Sequence, residues 1–240
     1  MIFIEQVPIL LVGVTNAAKM TPDEKCLKAV EGADTAAVRK MVAGAAYDAG
    51  YRRIGYHGSG GEYHTFKTSE SGWYGSGICF TNSPDLAEEY AAEQDGTPHV
   101  AACYLKMSNP YRYTEDADNP GEANFNLIRA VFPAREANLM IESMQEESTG
   151  YIGPELTERL KARGHDSIVV TDPATGSKEF VVFSPKQVKS AEDVVRDDIG
   201  NIIPLSKRFI LTDDIRGDTD GLPGRHHHSG HGGGKEQRSL

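Results

Sequence analysis

Cysteine is scarce in this chain, and its distribution excludes a disulfide framework. The 240 residues contain only three cysteines, with no CxxC pair among them, at Cys26, Cys79 and Cys103. An odd number of widely spaced thiols is not the pattern of a small secreted domain that is stabilised by disulfides. The pattern is typical of a reducing compartment, and we therefore expect a cytoplasmic protein.

The chain also lacks long apolar runs and basic patches. Its most apolar stretch, residues 1–14, is interrupted by Glu5 and Gln6 and is shorter than the ~20 apolar residues that a membrane-spanning helix needs. We interpret this stretch as a strand or a docked arm, the alternative being a wrongly assigned start codon. The formal net charge is −10, and basic residues cluster only in pairs. Because a negative field repels phosphate backbones, nucleic acid is not favoured as a partner.

The composition predicts one globular, loop-rich domain with an extension at each end. Hydrophobic residues make up 39% of the chain, which also contains 25 glycines and 12 prolines. We expect an N-terminal extension at residues 1–33, a domain at residues 34–210, and a disordered tail at residues 211–240 that is rich in Gly, Asp and His. The four histidines between positions 226 and 231 could bind a transition metal in principle, but they lack other ligands at a fixed spacing, and we predict no metal site.

Hydrophobic periodicity alternates between helical and strand patterns, which predicts an α+β fold. Signals for the start of a helix occur at Thr21, Asp34 and Ser83, two of them followed directly by proline. Further helices are predicted around residues 125–131, 135–144 and 154–163, and strands at residues 54–57, 74–80, 99–107, 166–171 and 179–183. The last two strands are separated by a short turn and could form a hairpin.

Three segments that lie far apart in the sequence place histidine, glycine and glutamate at the ends of predicted strands. The first is Tyr56-His57-Gly58-Ser59, and the second is Gly77-Ile78-Cys79-Phe80, which leads into a helix carrying Tyr90. The third, Lys178 to Phe183, has Glu179 at the start of an apolar strand. Each segment alone is a weak signal, whereas their order and spacing together are specific.

Together with Gly164 to Ile168 and the continuation of the third segment to Ser190, these blocks resemble the diphtheria-toxin-like ADP-ribosyltransferases, which include the poly(ADP-ribose) polymerases. They are most similar to the ADP-ribosyltransferase domains of phage and mobile-element polyvalent proteins, over residues 40–210. The resemblance implies an α+β domain in which two small, split, mostly antiparallel sheets form an NAD cleft with helices around it. Residues 34–210 would be the catalytic domain, and residues 111–163 the acceptor-side region or lid.

The resemblance also implies the chemistry and the two residues that carry it. NAD would be the substrate, no metal would be needed, and the catalytic residues would be Glu179 and His57. When neutral nicotinamide leaves, the ribose becomes oxocarbenium-like. Glu179 would hydrogen-bond the 2′-hydroxyl of that ribose and offset the developing charge, and His57 would donate to a ribose hydroxyl on the adenosine side.

The remaining cofactor-binding residues follow from the same resemblance. Gly58 would hold the nicotinamide carboxamide through its main-chain N–H and C=O, since a residue without Cβ lets the ligand approach the backbone closely. Tyr90 would stack on the nicotinamide ring, the alternative being a position in the core. Ser59, Cys79 and Phe80 would line the cofactor site, although the apolar side chain of Phe80 also suits the core.

The chain departs from the family pattern at three positions. Cys79 stands where relatives carry a tyrosine, and Ala87 stands where some carry a serine that bonds the carboxamide. A cysteine cannot reproduce the stacking area of a phenol, so that Tyr74 or Tyr90 would have to supply the missing ring. Ser177 replaces the second glutamate of arginine-modifying relatives, and arginine is therefore not the favoured acceptor.

The resulting prediction is a toxin-like mono-ADP-ribosyltransferase of a phage or mobile element, which acts on a host macromolecule, expected to be a protein, in the host cytoplasm. Two alternatives remain open. The first is an NAD glycohydrolase, in which water is the acceptor. The second is a catalytically degenerate module that binds NAD or ADP-ribose. Cys79 and Ala87 favour the degenerate module, whereas the presence of both His57 and Glu179 argues against it.

Overall fold

The computed structural model describes residues 19–219, and in this part of the chain it shows an α+β fold. The helices are α1 (Pro22–Glu31), α2 (Thr35–Asp48), α3 (Pro84–Ala92), α4 (Ala123–Val131), α5 (Ala134–Glu146), α6 (Pro154–Ala162) and α7 (Leu205–Arg208). The strands are β1 (Arg53–Ser59), β2 (Ile78–Thr81), β3 (His99–Leu105), β4 (Pro110–Thr114), β5 (Ser167–Thr171), β6 (Lys178–Val182) and β7 (Val188–Ser190). Single turns of 3-10 helix lie at Pro120–Glu122 and Pro185–Gln187. The predicted α+β class is confirmed.

All the strands belong to one open, mixed sheet with the order β4-β5-β6-β2-β1-β3-β7. Only β4 and β5 run parallel, and the other neighbours are antiparallel. At the centre of the sheet, β1 and β2 are paired through the single position Tyr56↔Thr81. The two split sheets that the sequence analysis expected are thus two halves of one sheet, joined at this point. Because the two strands are paired nowhere else, a cleft can open between the halves.

Alternating residues of the sheet face two different cores. One face packs against α4, α5 and α6 through residues that include Ile168, Val170 and Val181. The other face forms a core with Val169, Phe180, Val182 and residues of β2 and β3. A smaller third core lies among α1, α2 and α7. The central strands are thus covered on both faces, which holds the residues at their ends in fixed positions.

The predicted N-termini of helices α1, α2 and α3 are confirmed by their caps. Thr21, Asp34 and Ser83 each accept a hydrogen bond from the backbone N–H three residues further on. At Thr21 the side chain of Glu24 completes a capping box. A cap of this kind stabilises its helix by about 1 kcal/mol. No helix between residues 19 and 219 is long and apolar enough to cross a membrane.

Two strand predictions differ from the structure. The strand expected at residues 74–80 begins only at Ile78, because Gly75 and Gly77 adopt positive φ angles of 97° and 154°. A Cβ atom on Gly77 would lie 2.5 Å from Cγ1 of Val181, so that only glycine fits there. Strand β4 was not predicted, since its region reads as polar and helical. The expected hairpin of β5 and β6 is confirmed.

The first nine residues of the predicted tail, residues 211–219, lie in the described part of the chain and are ordered there. Residues 211–219 pack against the sheet, where Ile215 is buried in the second core. The fully buried ammonium group of Lys189 donates hydrogen bonds to the carbonyl oxygens of Thr212 and Asp214. A buried charge needs such partners, and this need orders a segment that has few apolar residues of its own. Residues 220–240, with their histidine cluster, and the apolar residues 1–14 lie outside the described part of the chain.

Candidate active site

A cavity of about 480 Å³ lies at the junction of β1 and β2. This volume is within the range of small-molecule sites in proteins. Strands β1 and β2, the start of β6, helix α3 and the loop that precedes β2 all contribute to its walls. It is lined by every site residue that the sequence analysis singled out, namely His57, Gly58, Ser59, Cys79, Phe80, Tyr90 and Glu179. Their individual contacts with NAD stay predictions.

The imidazole ring of His57 is held in one orientation and in one neutral form. Its Nδ1 atom lies 2.8 Å from the carbonyl oxygen of Cys79, and its ring packs edge-on against Phe66 at 4.8 Å between centroids. Burial lowers the pKa of His57, so that the neutral ring predominates. Since the carbonyl oxygen can only accept, Nδ1 carries the proton and Nε2 has a free lone pair. In this tautomer Nε2 is free to accept a hydrogen bond from a ligand hydroxyl, and the contact of His57 with a ribose hydroxyl stays a prediction.

Glu179 is the second residue of β6 and lies in the row of the sheet that joins its two halves. It is paired with Thr81 on one side and with Val170 on the other. Burial, and then the negative charge of Glu115, raise the pKa of Glu179 to about 7. Within residues 19–219 no group donates a hydrogen bond to its carboxylate. The carboxylate is thus available to a ligand in the cavity.

Two tyrosines supply ring surface near this carboxylate. Tyr90 is 42% exposed on α3 and lines the cavity. Tyr74 is only 4% exposed and also lines the cavity, and its hydroxyl donates a hydrogen bond to Oε1 of Glu115. Both rings therefore line the same cavity as Cys79, and their stacking on nicotinamide stays a prediction. The sequence signal for Tyr74 is its place in the glycine-rich block before β2.

Gly58 has a structural reason to be glycine. A Cβ atom there would lie 2.0 Å from the carbonyl oxygen of Ala87 and 2.7 Å from the backbone nitrogen of Ala91, because α3 packs directly on β1. Ala87 is completely buried in this contact. The contact of α3 with β1 is thus made through the backbone of Ala87 and Ala91.

Ser59 and Phe80 hold neighbouring parts of the site in place. The hydroxyl of Ser59 is buried and donates to the carbonyl oxygen of Gly61 at 2.8 Å. Phe80 is buried in the second core, and its ring lies 5.5 Å from that of His57 and 5.8 Å from that of Phe66. These two side chains fix the end of β1 and the plane of the imidazole, and both also line the cavity.

Cys79 reaches the cavity as a thiol. Its side chain is open to the cavity, while protein surrounds it on the other sides. Burial, and then the negative charge of Glu179, raise the pKa of Cys79 to about 12. A protonated thiol is a poor nucleophile. The structure thus favours a lining role for Cys79 over a covalent one.

Sequence reasoning missed the aromatic residues at the mouth of the cavity. Trp73 and Tyr151 are both partly exposed and line it. They lie on two segments that are joined by an antiparallel bridge between Gly72 and Ile152, and the Trp73 ring covers Gly150. The residues belong to loops without a recognisable pattern, so no signal in the sequence indicated them. Residues 19–219 contain no cluster of three His, Cys, Asp or Glu side chains that could hold a metal ion.

The fold and the cavity together define a class of protein. An α+β sheet whose two halves meet at a cleft, with a strand-end histidine and a glutamate facing the same cavity, is of the ADP-ribosyltransferase type. The family model described as ADP-ribosyltransferase in polyvalent proteins matches residues 48–196, which is more than half of the chain, and the chain belongs to this family. No curated protein and no solved structure matches the chain.

Proposed function

We propose that this protein is an NAD-dependent mono-ADP-ribosyltransferase that modifies a host macromolecule, expected to be a protein, in the host cytoplasm. The observation that carries the proposal is the placement of His57 and Glu179 around one cavity, at the point where the two halves of the sheet meet. Membership in the ADP-ribosyltransferase family supports the same chemistry.

The proposed reaction breaks the bond between C1′ of the ribose and the nicotinamide nitrogen. Nicotinamide leaves as a neutral molecule with the electron pair of that bond, and positive charge develops on the ribose. The ionised carboxylate of Glu179 binds the 2′-hydroxyl and stabilises this charge. A preorganised group of this kind contributes about 3 kcal/mol to the transition state. The acceptor then forms the new bond to C1′ and loses its proton.

His57 and the tyrosines hold the dinucleotide in the reactive position. The lone pair on Nε2 of His57 accepts a hydrogen bond from a ribose hydroxyl on the adenosine side. Tyr90 and Tyr74 provide ring faces for nicotinamide, in place of the tyrosine that Cys79 replaces. Such binding contributes to the rate because the reacting bond is fixed in one orientation before the acceptor arrives.

The acceptor side is assigned to the region of residues 111–163. Tyr151 brings this region to the mouth of the cavity, beside Trp73. Ser177 lies in the turn between β5 and β6 and accepts a hydrogen bond from Thr175. A serine there does not offer the second carboxylate that binds a guanidinium, so an acceptor other than arginine is favoured. The net charge of −10 also disfavours nucleic acid as the acceptor.

The test is the release of nicotinamide from NAD by the purified protein and by its Glu179→Gln variant, each with and without a cell lysate. We expect release that depends on Glu179, and with labelled NAD we expect label on lysate proteins. The Glu142→Gln variant, which changes an exposed glutamate on α5, is the matched control and should behave as the wild type. Release without transfer would identify a glycohydrolase. NAD binding without release would identify the degenerate binding module.

A further inference from the structure

A second carboxylate lies behind Glu179, on the side of the sheet away from β2. Glu115 follows directly on β4, and its backbone N–H donates to the carbonyl oxygen of Thr171 in β5 at 3.0 Å. Tyr113, Val170 and Glu179 are register partners across β4, β5 and β6. Side chains in one such row share a face of the sheet, and a residue two positions further along a strand shares it as well. Glu115 and Glu179 are therefore on the same face, two strands apart.

Tyr74 connects this second carboxylate to the cavity. Its ring lines the cavity beside Glu179, while its hydroxyl donates to Glu115. Tyr74 lies in the loop before β2, where positive φ angles at Gly75 and Gly77 turn the chain, and its ring packs in the first core. Within residues 19–219 no lysine or arginine forms an ion pair with Glu115. The hydrogen bond from Tyr74 is thus the main specific contact of this carboxylate.

We propose that Glu115 is a positioning residue of this site, which holds the Tyr74 ring against the cavity and places a second negative charge behind Glu179. The inference rests on the proposed function, because it describes how the same cavity is prepared for NAD. The second charge has two effects. It makes Glu179 harder to ionise, and it adds to the negative potential that a ribose cation would meet in the cavity.

The other groups around Glu179 do not titrate in the neutral range. The phenols of Tyr74 and Tyr90 and the thiol of Cys79 all interact with its charge, and burial raises the pKa of each, in the case of Tyr90 and Cys79 to about 12. His57 is neutral because burial lowers its pKa. Burial is the larger cause of the raised pKa of Glu179, and the charge of Glu115 adds to it. Removal of that charge should therefore lower the pKa of Glu179, although burial keeps it above the ordinary value.

The experiment compares wild type, Glu115→Gln and Tyr74→Phe by the pH profile of nicotinamide release and by a ¹³C NMR titration of glutamate carboxylates. The Glu179 signal is assigned by its loss in Glu179→Gln. In Glu115→Gln the amide oxygen still accepts a hydrogen bond from Tyr74, but the negative charge is gone. We therefore expect the acid limb of the pH profile of nicotinamide release, and the pKa of Glu179 measured by NMR, to move to lower pH. In Tyr74→Phe the charge remains, and we expect a higher KM for NAD with the acid limb in place.

An acid limb and an NMR pKa that coincide in wild type and Glu115→Gln would overturn the proposal, as would an unchanged KM in Tyr74→Phe. A purely structural role of Glu115 would lower the Tm without moving either titration. The NMR readout needs no turnover, so it separates a failure of this inference from a failure of the proposed enzymatic activity. If Glu115→Gln does not fold, Glu115→Asp keeps the charge but withdraws it from Tyr74, and should raise the KM for NAD.

Discussion

Nδ1 of His57 donates to the carbonyl oxygen of Cys79, 2.8 Å away, and so bridges β1 and β2 beside the single position at which their backbones pair. This bond connects the fold with the proposed chemistry. It joins the two halves of the sheet at the edge of the cavity, and it also fixes which nitrogen of the ring is free for a ligand. Nδ1 of His57 thus bonds the protein, and Nε2 is free to bond a ligand.

The two ring nitrogens can be tested separately by amide substitutions. In His57→Asn the amide replaces Nδ1, which can preserve the bond to Cys79 but leaves no acceptor for the ribose. In His57→Gln the amide reaches the position of Nε2 and can still accept. We expect Asn to weaken NAD binding by about tenfold or more and Gln to weaken it less, as measured by calorimetric titration, because a lost hydrogen bond costs about 1–2 kcal/mol. His64→Asn, at an exposed position, is the control. Equal losses in both variants would mean that Nε2 has no ligand.

The raised pKa of Glu179 predicts a pH-dependent cost to stability. Its pKa is 4.5 in the unfolded chain and about 7 in the folded protein, so the folded state holds the proton more tightly. Stability from this group is complete below pH 4.5 and is lost as the pH rises through 7. Glu179→Gln removes the dependence, and it should be more stable than wild type at pH 8 by about 1–3 kcal/mol, with a smaller difference at pH 5.

Urea denaturation at the two pH values measures this effect, and Glu142→Gln is the control for a general change in net charge. A variant that is no more stable than wild type at pH 8 would show that the ionised carboxylate of Glu179 does not destabilise the folded protein. A carboxylate that is held ionised at a cost to folding is expected where function requires it, so the same variant should combine higher stability with loss of nicotinamide release.

The close contact of α3 with β1 predicts that Gly58 tolerates no side chain. In Gly58→Ala the new Cβ atom would meet the backbone of Ala87 at 2.0 Å, and a backbone atom cannot move away without displacing the helix. We expect a loss of about 2–3 kcal/mol in the free energy of unfolding, together with weaker NAD binding because Tyr90 moves with α3. Gly44→Ala in α2 is the matched control, since its Cβ would meet nothing within 4 Å, and it should raise the Tm slightly. Similar Tm values for the two variants would contradict the contact.

The sequence was sufficient to predict the elements that have strong local signals. The caps at Thr21, Asp34 and Ser83 and the hairpin of β5 and β6 depend on neighbours within a few residues, and they were predicted correctly. Membership in the ADP-ribosyltransferase family could be predicted because its motifs are short, ordered blocks. The seven site residues predicted from these blocks all line one cavity.

What the sequence could not show depends on contacts between distant segments. The pairing of Glu115 with Tyr74 joins a strand end to a loop, and neither residue follows a periodic pattern. The hydrogen-bonding direction of His57 is set by a carbonyl group 22 residues away. Strand β4 was missed because its partner in the sheet is β5, which comes more than 50 residues later in the chain.

The order of residues 211–219 depends on Lys189, and this gives the last prediction. The Lys189 side chain is fully buried, and its Nζ lies 2.9 Å and 2.6 Å from the carbonyl oxygens of Thr212 and Asp214. In Lys189→Ala both oxygens lose the ammonium donor, and of the two, within residues 19–219, only the Asp214 oxygen keeps other donors, the hydroxyl of Thr212 among them. An unsatisfied carbonyl group costs about 1–3 kcal/mol, so we expect local release of the segment. We expect faster amide hydrogen exchange in residues 211–219 and a lower Tm, while β5 and β6 keep their protection. Lys186→Ala, at an exposed position nearby, should change neither. Unchanged exchange in Lys189→Ala would show that the apolar contact of Ile215 with the second core is enough to hold the segment in place.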